Sequence, residues 1–212
     1  MAVKKKKKDI KKGSDSKSDS YLDSGEELTE RGIYYISDHI ETDTLLKIHQ
    51  DILLKHLSPT WKDDVTIIIN TYGGDVAETW SLIDLLRWVR MDVRTTGMGA
   101  CASAGACLVA CGTPGKRLVT LHTEFMIHGA SGGIHGNRQQ LAAGMKYMED
   151  EHQKDIRFWM RHSKYKTKEE VEKKFLDGQD KWMTAEEAYK HGVVDGVIGL
   201  DLPPDKKKKG KK

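Results

Sequence analysis

Ser103 stands in Met98-Gly99-Ala100-Cys101-Ala102-Ser103-Ala104-Gly105-Ala106, a single hydroxyl among residues too small to cover it. A serine attacks a carbonyl well only when its Oγ projects from a sharp strand-to-helix turn. Such a turn tolerates only small neighbours where backbone must approach backbone or substrate. The next residues, Ala106-Cys107-Leu108-Val109-Ala110-Cys111, are small and apolar, so a helix starting at Ser103 would be buried with its positive end near the hydroxyl. The G-x-S-x-G form of the elbow is not strictly matched, and the stretch equally fits a tight Ala/Gly helix packed in a core. Acyl transfer also needs a base, a group to fix the base, and donors for the oxyanion. His128 ends an apolar run beside a glycine-rich segment, where an imidazole would be partly exposed and able to cycle its proton. Asp180, between a Gly-Gln pair and an apolar Trp-Met pair, is expected to be buried enough to hold an imidazole. Taken singly, these read as a strand-end histidine and a turn carboxylate; their joint presence points to nucleophilic catalysis.

The elements that would position them follow from periodicity. Ile33-Tyr34-Tyr35-Ile36 is strand-like, and residues 43–57 bring Leu46, Ile48, Ile52, Leu53 and Leu57 at helical spacing. Val65-Thr66-Ile67-Ile68-Ile69-Asn70 is a β-branched run ending in Thr71-Tyr72-Gly73-Gly74, after which residues 75–90 read as a helix. Strand, glycine turn and helix make a βα unit. Residues 93–98 are the next strand and lead into Ser103, so the unit is repeated. Residues 117–121 and 124–128 are further strand pieces. Residues 129–136 hold four glycines, a loop either mobile or held close to a ligand. Residues 137–163 form a long helix of about 40 Å at 1.5 Å per residue. Leu141, Met145, Met148, Ile156 and Trp159 follow one face of it, with polar His152 in the gap. That stripe is core packing, or a projection that packs on another subunit. Capping boxes pairing Thr167 with Glu170 and Thr184 with Glu187 each open a short helix, and residues 193–198 close the domain as a strand. Strands alternating with helices predict an α/β fold with a largely parallel sheet.

Charge is unevenly distributed. Residues 1–20 hold 8 Lys against 3 Asp and residues 201–212 hold 6 Lys against 2 Asp, leaving 21 basic and 27 acidic residues between them. The folded part is therefore mildly acidic, and no basic nucleic-acid face is implied. Composition predicts disordered tails over 1–24 and 201–212 around one domain at 25–200. Cys101, Cys107 and Cys111 lack the C-x-x-C spacing of a zinc or redox site and read as small buried residues of a reducing compartment. No metal or cofactor is expected. Without an apolar leader or a run of 18 apolar residues, the expected location is the cytoplasm.

Five separated motifs in one order then resemble the proteolytic subunit of the Clp protease, ClpP, across about residues 31–199. Ile69-Asn70-Thr71-Tyr72-Gly73-Gly74 is similar to the family's I-N-S-P-G-G, the Ser103 stretch to M-G-x-A-A-S-M-G-A, and Gly112-Thr113-Pro114-Gly115-Lys116-Arg117 to A-G-x-x-G-K-R. Met126-Ile127-His128 with Gly132-Gly133 resembles M-I-H-Q-P-x-G-G. Residues 180–188 resemble D-R-F-x-S-A-x-E-A, and residues 189–195 fit the family's Y-G-L-V-D. The resemblance implies a ClpP/crotonase-like fold of repeated βα units with a long protruding handle helix. It implies Ser103 as nucleophile, His128 as base and Asp180 as its orienter, with the N–H groups of Gly74 and Ala104 as the oxyanion hole. A side chain at Gly73 or Gly74 would block the carbonyl, and the backbone of Gly132, Gly133 and Ile134 would pair the substrate as an added strand. It further implies a homo-oligomer of seven-membered rings around a chamber, peptide or unfolded-protein substrates, and a separate AAA+ ring ATPase as unfoldase. This chain has no phosphate-binding G-x-x-x-x-G-K-[ST] loop of its own.

The departures carry expectations too. The lysine-rich start replaces the family's apolar pore-lining segment. Thr66 and Ile68 stand where tyrosines commonly dock the ATPase, leaving Trp88 as the nearby large aromatic. Gly178 and Gln179 replace a Glu-Arg pair used between rings, which predicts weaker or different ring stacking. Tyr72 replaces a proline. Three other readings compete: a noncatalytic ring subunit, which would usually lack one of the three residues; a crotonase-like acyl-CoA enzyme, which would rely on carboxylates; and a signal-peptide peptidase, which would use a Ser-Lys dyad and an anchor.

Overall fold

The computed structural model describes residues 18–199. Most of the two tails lies outside them, but residues 18–24 begin a helix, α1 (Ser18–Glu30), so the expected boundary at residue 25 falls inside an element.

Seven strands and six further helices follow, alternating as far as β4: β1 (Ile33–Ile36), α2 (Thr42–Leu57), β2 (Val65–Thr71), α3 (Val76–Trp88), β3 (Val93–Ala102), α4 (Ala104–Ala110), β4 (Arg117–Thr120), β5 (Glu124–Ile127), α5 (Arg138–His162), α6 (Lys168–Phe175), β6 (Lys181–Met183), α7 (Ala185–Lys190) and β7 (Gly196–Ile198). Strands β1-β2-β3-β4-β7 form a parallel sheet in that order. β3 is long because, on the edge away from β2, it serves two neighbours. Its first half pairs with β4 through Thr95, Thr96 and Gly97, and its second half pairs with β5 through Ala100, Cys101 and Ala102. The change of partner falls at Met98-Gly99, where Gly99 has φ +65° and the Asn70 carboxamide oxygen accepts the Ala100 N–H at 3.0 Å. β6 then adds antiparallel to β5.

The core is the set of faces these elements turn to one another. On α2 the buried residues are Leu45, Ile48 and Ile52, whereas Leu46 and Leu57 from the expected stripe are 51% and 67% exposed. Two overlapping helical stripes exist in that segment, and the sheet selects the one through Leu45. In α4, Ala104, Gly105, Ala106, Leu108, Val109 and Ala110 are all buried, and a Cβ on Gly105 would come within 2.8 Å of the Thr71 carbonyl oxygen. Small residues are thus required where α4 meets β2. α5 opens with Asn137 in a capping box with Gln140, and its stripe divides. Ile156, Phe158 and Trp159 are buried, while Leu141, Met145, Tyr147 and Met148 are exposed. Near the end of the described chain, Asp195 accepts a two-pronged ion pair from Arg117, Nη2 to Oδ1 at 2.6 Å and Nε to Oδ2 at 2.9 Å, plus the Gly115 and Arg117 N–H groups. Burial raises the Asp195 carboxyl, but the bonds from Arg117 outweigh it and hold the group below the usual range. No helix among the described residues is long and apolar enough to cross a membrane.

Candidate active site

Strand register places the three candidate catalytic side chains at one point. Ala102 pairs with Met126, and Ser103 donates its backbone N–H to the Met126 carbonyl at 2.9 Å, so the serine leaves β3 where β5 is about to end. His128 follows Ile127, the last residue of β5. Ile127 pairs antiparallel with Lys181, which puts the preceding residue, Asp180, opposite His128. Ser103 Oγ lies 2.7 Å from His128 Nε2, and His128 Nδ1 lies 3.3 Å from Asp180 Oδ1. With Nε2 bonded to the serine hydroxyl and the carboxylate beside Nδ1, the arrangement favours the tautomer that carries its proton on Nδ1 and leaves Nε2 to accept the serine proton. The expectation that Asp180 is buried does not hold: its side chain is 59% exposed, against 26% for His128. The cause is position, because β6 is a three-residue strand at the sheet edge with no neighbour on its outer side among the described residues.

Ser103 caps α4 with φ +54° and ψ −121°, the one positive φ at a non-glycine position among the described residues. Such a conformation costs on the order of 1–3 kcal/mol and persists only where the surroundings impose it. Here they do, through the β3–β5 bond at its N–H and the buried α4 after it. The turn facing it comes from β2. Thr71 Oγ1 donates to the Asp38 carbonyl at 2.7 Å and accepts the Gly73 N–H at 3.1 Å. Gly73, at φ +112°, lies so close to the serine that a Cβ there would meet Ser103 Cβ at 2.9 Å and Ala104 N at 3.1 Å. Ile40 bonds the groups flanking Gly74, donating to the Gly73 carbonyl and accepting from the Asp75 N–H. In a parallel bridge of this kind the intervening residue, Gly74, turns its own N–H to the opposite side. A Cβ on Gly74 would collide with the Ile40 backbone.

Gly74, Ala104, Ser103 and His128 line one narrow pocket of about 40 Å³, together with Val76, Thr79, Trp80, Cys107, Ala130 and Asp155. Gly132, Gly133 and Ile134 are not in it. They line an adjoining cavity of about 340 Å³ with Tyr147 and Met148, which shares Val76 and Ala130 with the first. The cysteines offer no rival nucleophile. Burial pushes Cys101 and Cys111 up to about 12 and raises Cys107 well above an ordinary thiol, so all three stay protonated.

Asp155 is the pocket residue that sequence reasoning missed. Its signal was available: it lies four residues before Trp159 and beside Ile156, a carboxylate on the buried side of a helix where carboxylates are rare.

The Clp protease family model matches residues 16–201. Similar relatives are each named ATP-dependent Clp protease proteolytic subunit 2. That of Thermobifida fusca is 30% identical over 84% of this chain and 86% of its own length. The Nocardia farcinica protein is 32% identical over 82% and 83%, and the Corynebacterium jeikeium protein 34% identical over 81% and 80%. With the match spanning all the described residues, the chain belongs to the Clp protease family.

Proposed function

We propose that this protein is a serine endopeptidase in which Ser103, His128 and Asp180 hydrolyse peptide bonds through an acyl-enzyme. The observation that carries the reading is the 2.7 Å contact between Ser103 Oγ and His128 Nε2, on an imidazole whose other nitrogen faces Asp180. His128 takes the serine proton as Oγ attacks the substrate carbonyl, then delivers it to the departing amine. Asp180 holds the tautomer. The carbonyl oxygen, negative in the tetrahedral intermediate, meets the N–H groups of Gly74 and Ala104, each worth about 3 kcal/mol in such a site. Water, activated by His128 in turn, releases the acyl group and restores the serine.

The substrate is a peptide or unfolded protein lying over the cavity beside the pocket, its backbone paired by Gly132, Gly133 and Ile134. The protein works as a homo-oligomer of rings in the cytoplasm and takes extended chains from a separate AAA+ ATPase. The apolar side chains left exposed on the first half of α5, among them Met145 at 66%, support packing against further copies. Labelling with a fluorophosphonate, located by peptide mass spectrometry and controlled by Ser103→Ala, tests the reading. An adduct on Ser103 is expected. No adduct on the folded, assembled protein would move it to the noncatalytic ring subunits.

A further inference from the structure

Two carboxylates of α5 are buried near the site, and they differ in what they face. Glu151, 5% exposed, accepts the Trp80 indole N–H at 3.1 Å and pairs with Lys154 at 2.6 Å. Asp155, 8% exposed, accepts only the Ala130 N–H at 3.3 Å and has no cation paired with it among the described residues. A buried carboxylate is ordinarily paired, because taking an ion out of water costs several kcal/mol unless a partner offsets it. The pocket that Asp155 lines is also the one that holds Ser103 and His128.

We propose that Asp155 is the specificity-determining residue of this pocket, receiving the cationic side chain of a substrate lysine or arginine so that cleavage follows a basic residue. The inference rests on the reading of Ser103 as nucleophile, since the pocket beside it takes the side chain that precedes the scissile bond. The pocket is narrow, and its Val76, Thr79, Trp80 and Cys107 walls suit a slender alkyl chain better than an aromatic ring. The charge in its lining is supplied by Asp155. Burial, opposed by the Ala130 N–H, pushes its carboxyl up to about 6, with Glu151 adding to the rise and His152 and His128 opposing it. At neutral pH it is an anion awaiting a partner, and a substrate ammonium or guanidinium supplies one.

The test uses the assembled protein and fluorogenic peptides that differ only in the residue before the scissile bond: Lys, Arg, Leu, Phe or Glu. For wild type, kcat/KM with Lys or Arg should exceed that with Leu at least tenfold. Asp155→Leu should reverse the order, and Asp155→Glu should keep its sign. Each is a ratio within one variant, so a partly folded preparation does not alter it. A wild-type preference for Leu or Phe, or an unchanged ratio in Asp155→Leu, would overturn the proposal. In parallel, Ser103→Ala should bind a product peptide ending in Lys at least tenfold more tightly than one ending in Leu, by calorimetry. That binding needs no turnover. Loss of all cleavage with this preference intact would sink the catalytic reading and leave the pocket assignment standing; equal binding would sink the pocket assignment alone.

Discussion

On its serine side the His128 ring makes a 2.7 Å hydrogen bond; on its aspartate side it reaches 3.3 Å to a carboxylate more than half in water. The first contact is made by β3 and β5, paired inside the sheet, with Ser103 further fixed by its N–H bond to Met126. The second depends on β6, three residues on the rim. The same imidazole is therefore held firmly at Nε2, the nitrogen proposed to move the proton, and loosely at Nδ1. A contact with an exposed carboxylate competes with water, whereas a hydrogen bond in a drier setting does so less. The aspartate side is thus where cover from a neighbouring copy or a bound substrate has most to add.

The largest effects should come from the firm side. Ser103→Ala and His128→Ala should each lower peptide cleavage by about four to six orders of magnitude, and the double variant should be no worse than either alone, because the pair acts as a unit. Additive losses in steady-state kcat would break the comparison at its root. Asp180→Asn should cost less, on the order of 10²- to 10⁴-fold. A loss as large as that of Ser103→Ala would mean the exposed contact is as firm as the part-buried one. Gly74→Ala should lower kcat by about 10²- to 10³-fold with KM little changed, since a Cβ forced against Ile40 must swing the N–H off the oxyanion. Near-UV circular dichroism identical to wild type would show that the turn alone moved; unchanged kcat would remove Gly74 from the site.

The smallest effects concern stability, and two carboxylates sharpen the contrast between partnered and unpartnered acids. Asp195, held low by Arg117, stabilises the fold above the unfolded value near 4, and this is lost as pH falls through its lower folded value. Asp195→Asn should cost about 1–3 kcal/mol at pH 7 by urea denaturation. Asp155 has the opposite sign. Its folded carboxyl, near 6, keeps a proton that the unfolded chain releases near 4, so its contribution to stability declines as pH rises from about 4 to about 6. Asp155→Asn should flatten that slope in melting scans; a steeper slope would reverse the assignment.

Much of this was legible in the chain. The β-branched run of β2, the glycine turn and the capping boxes at Thr167 and Thr184 are local signals, and the observed elements sit where they indicated. Ser103 and His128 could be nominated because each stands at the end of a strand-like run, and Asp180 as a turn carboxylate ahead of an apolar pair, but only strand register brings them together, and register between distant strands is not a local property. The burial of Asp180 was misjudged for the same reason: flanking Trp182 and Met183 suggest cover, yet Trp182 is itself 52% exposed at the sheet edge. On α2, periodicity allowed two faces and the packing of the sheet chose between them. Asp155 was hidden by the opposite error, a charge accepted as part of a long helix without asking which way that turn of the helix faced.

The antiparallel addition of β6 to β5 also has a consequence in time. A growing chain acquires Ser103 and His128 early, already joined through parallel strands, but Asp180 arrives only after α5 and α6 have been made. Until β6 docks, the imidazole has no carboxylate to select its tautomer. Full hydrolytic competence is thus deferred until β6 has found its place, and an unfinished chain carries a nucleophile and base without the carboxylate that aligns them.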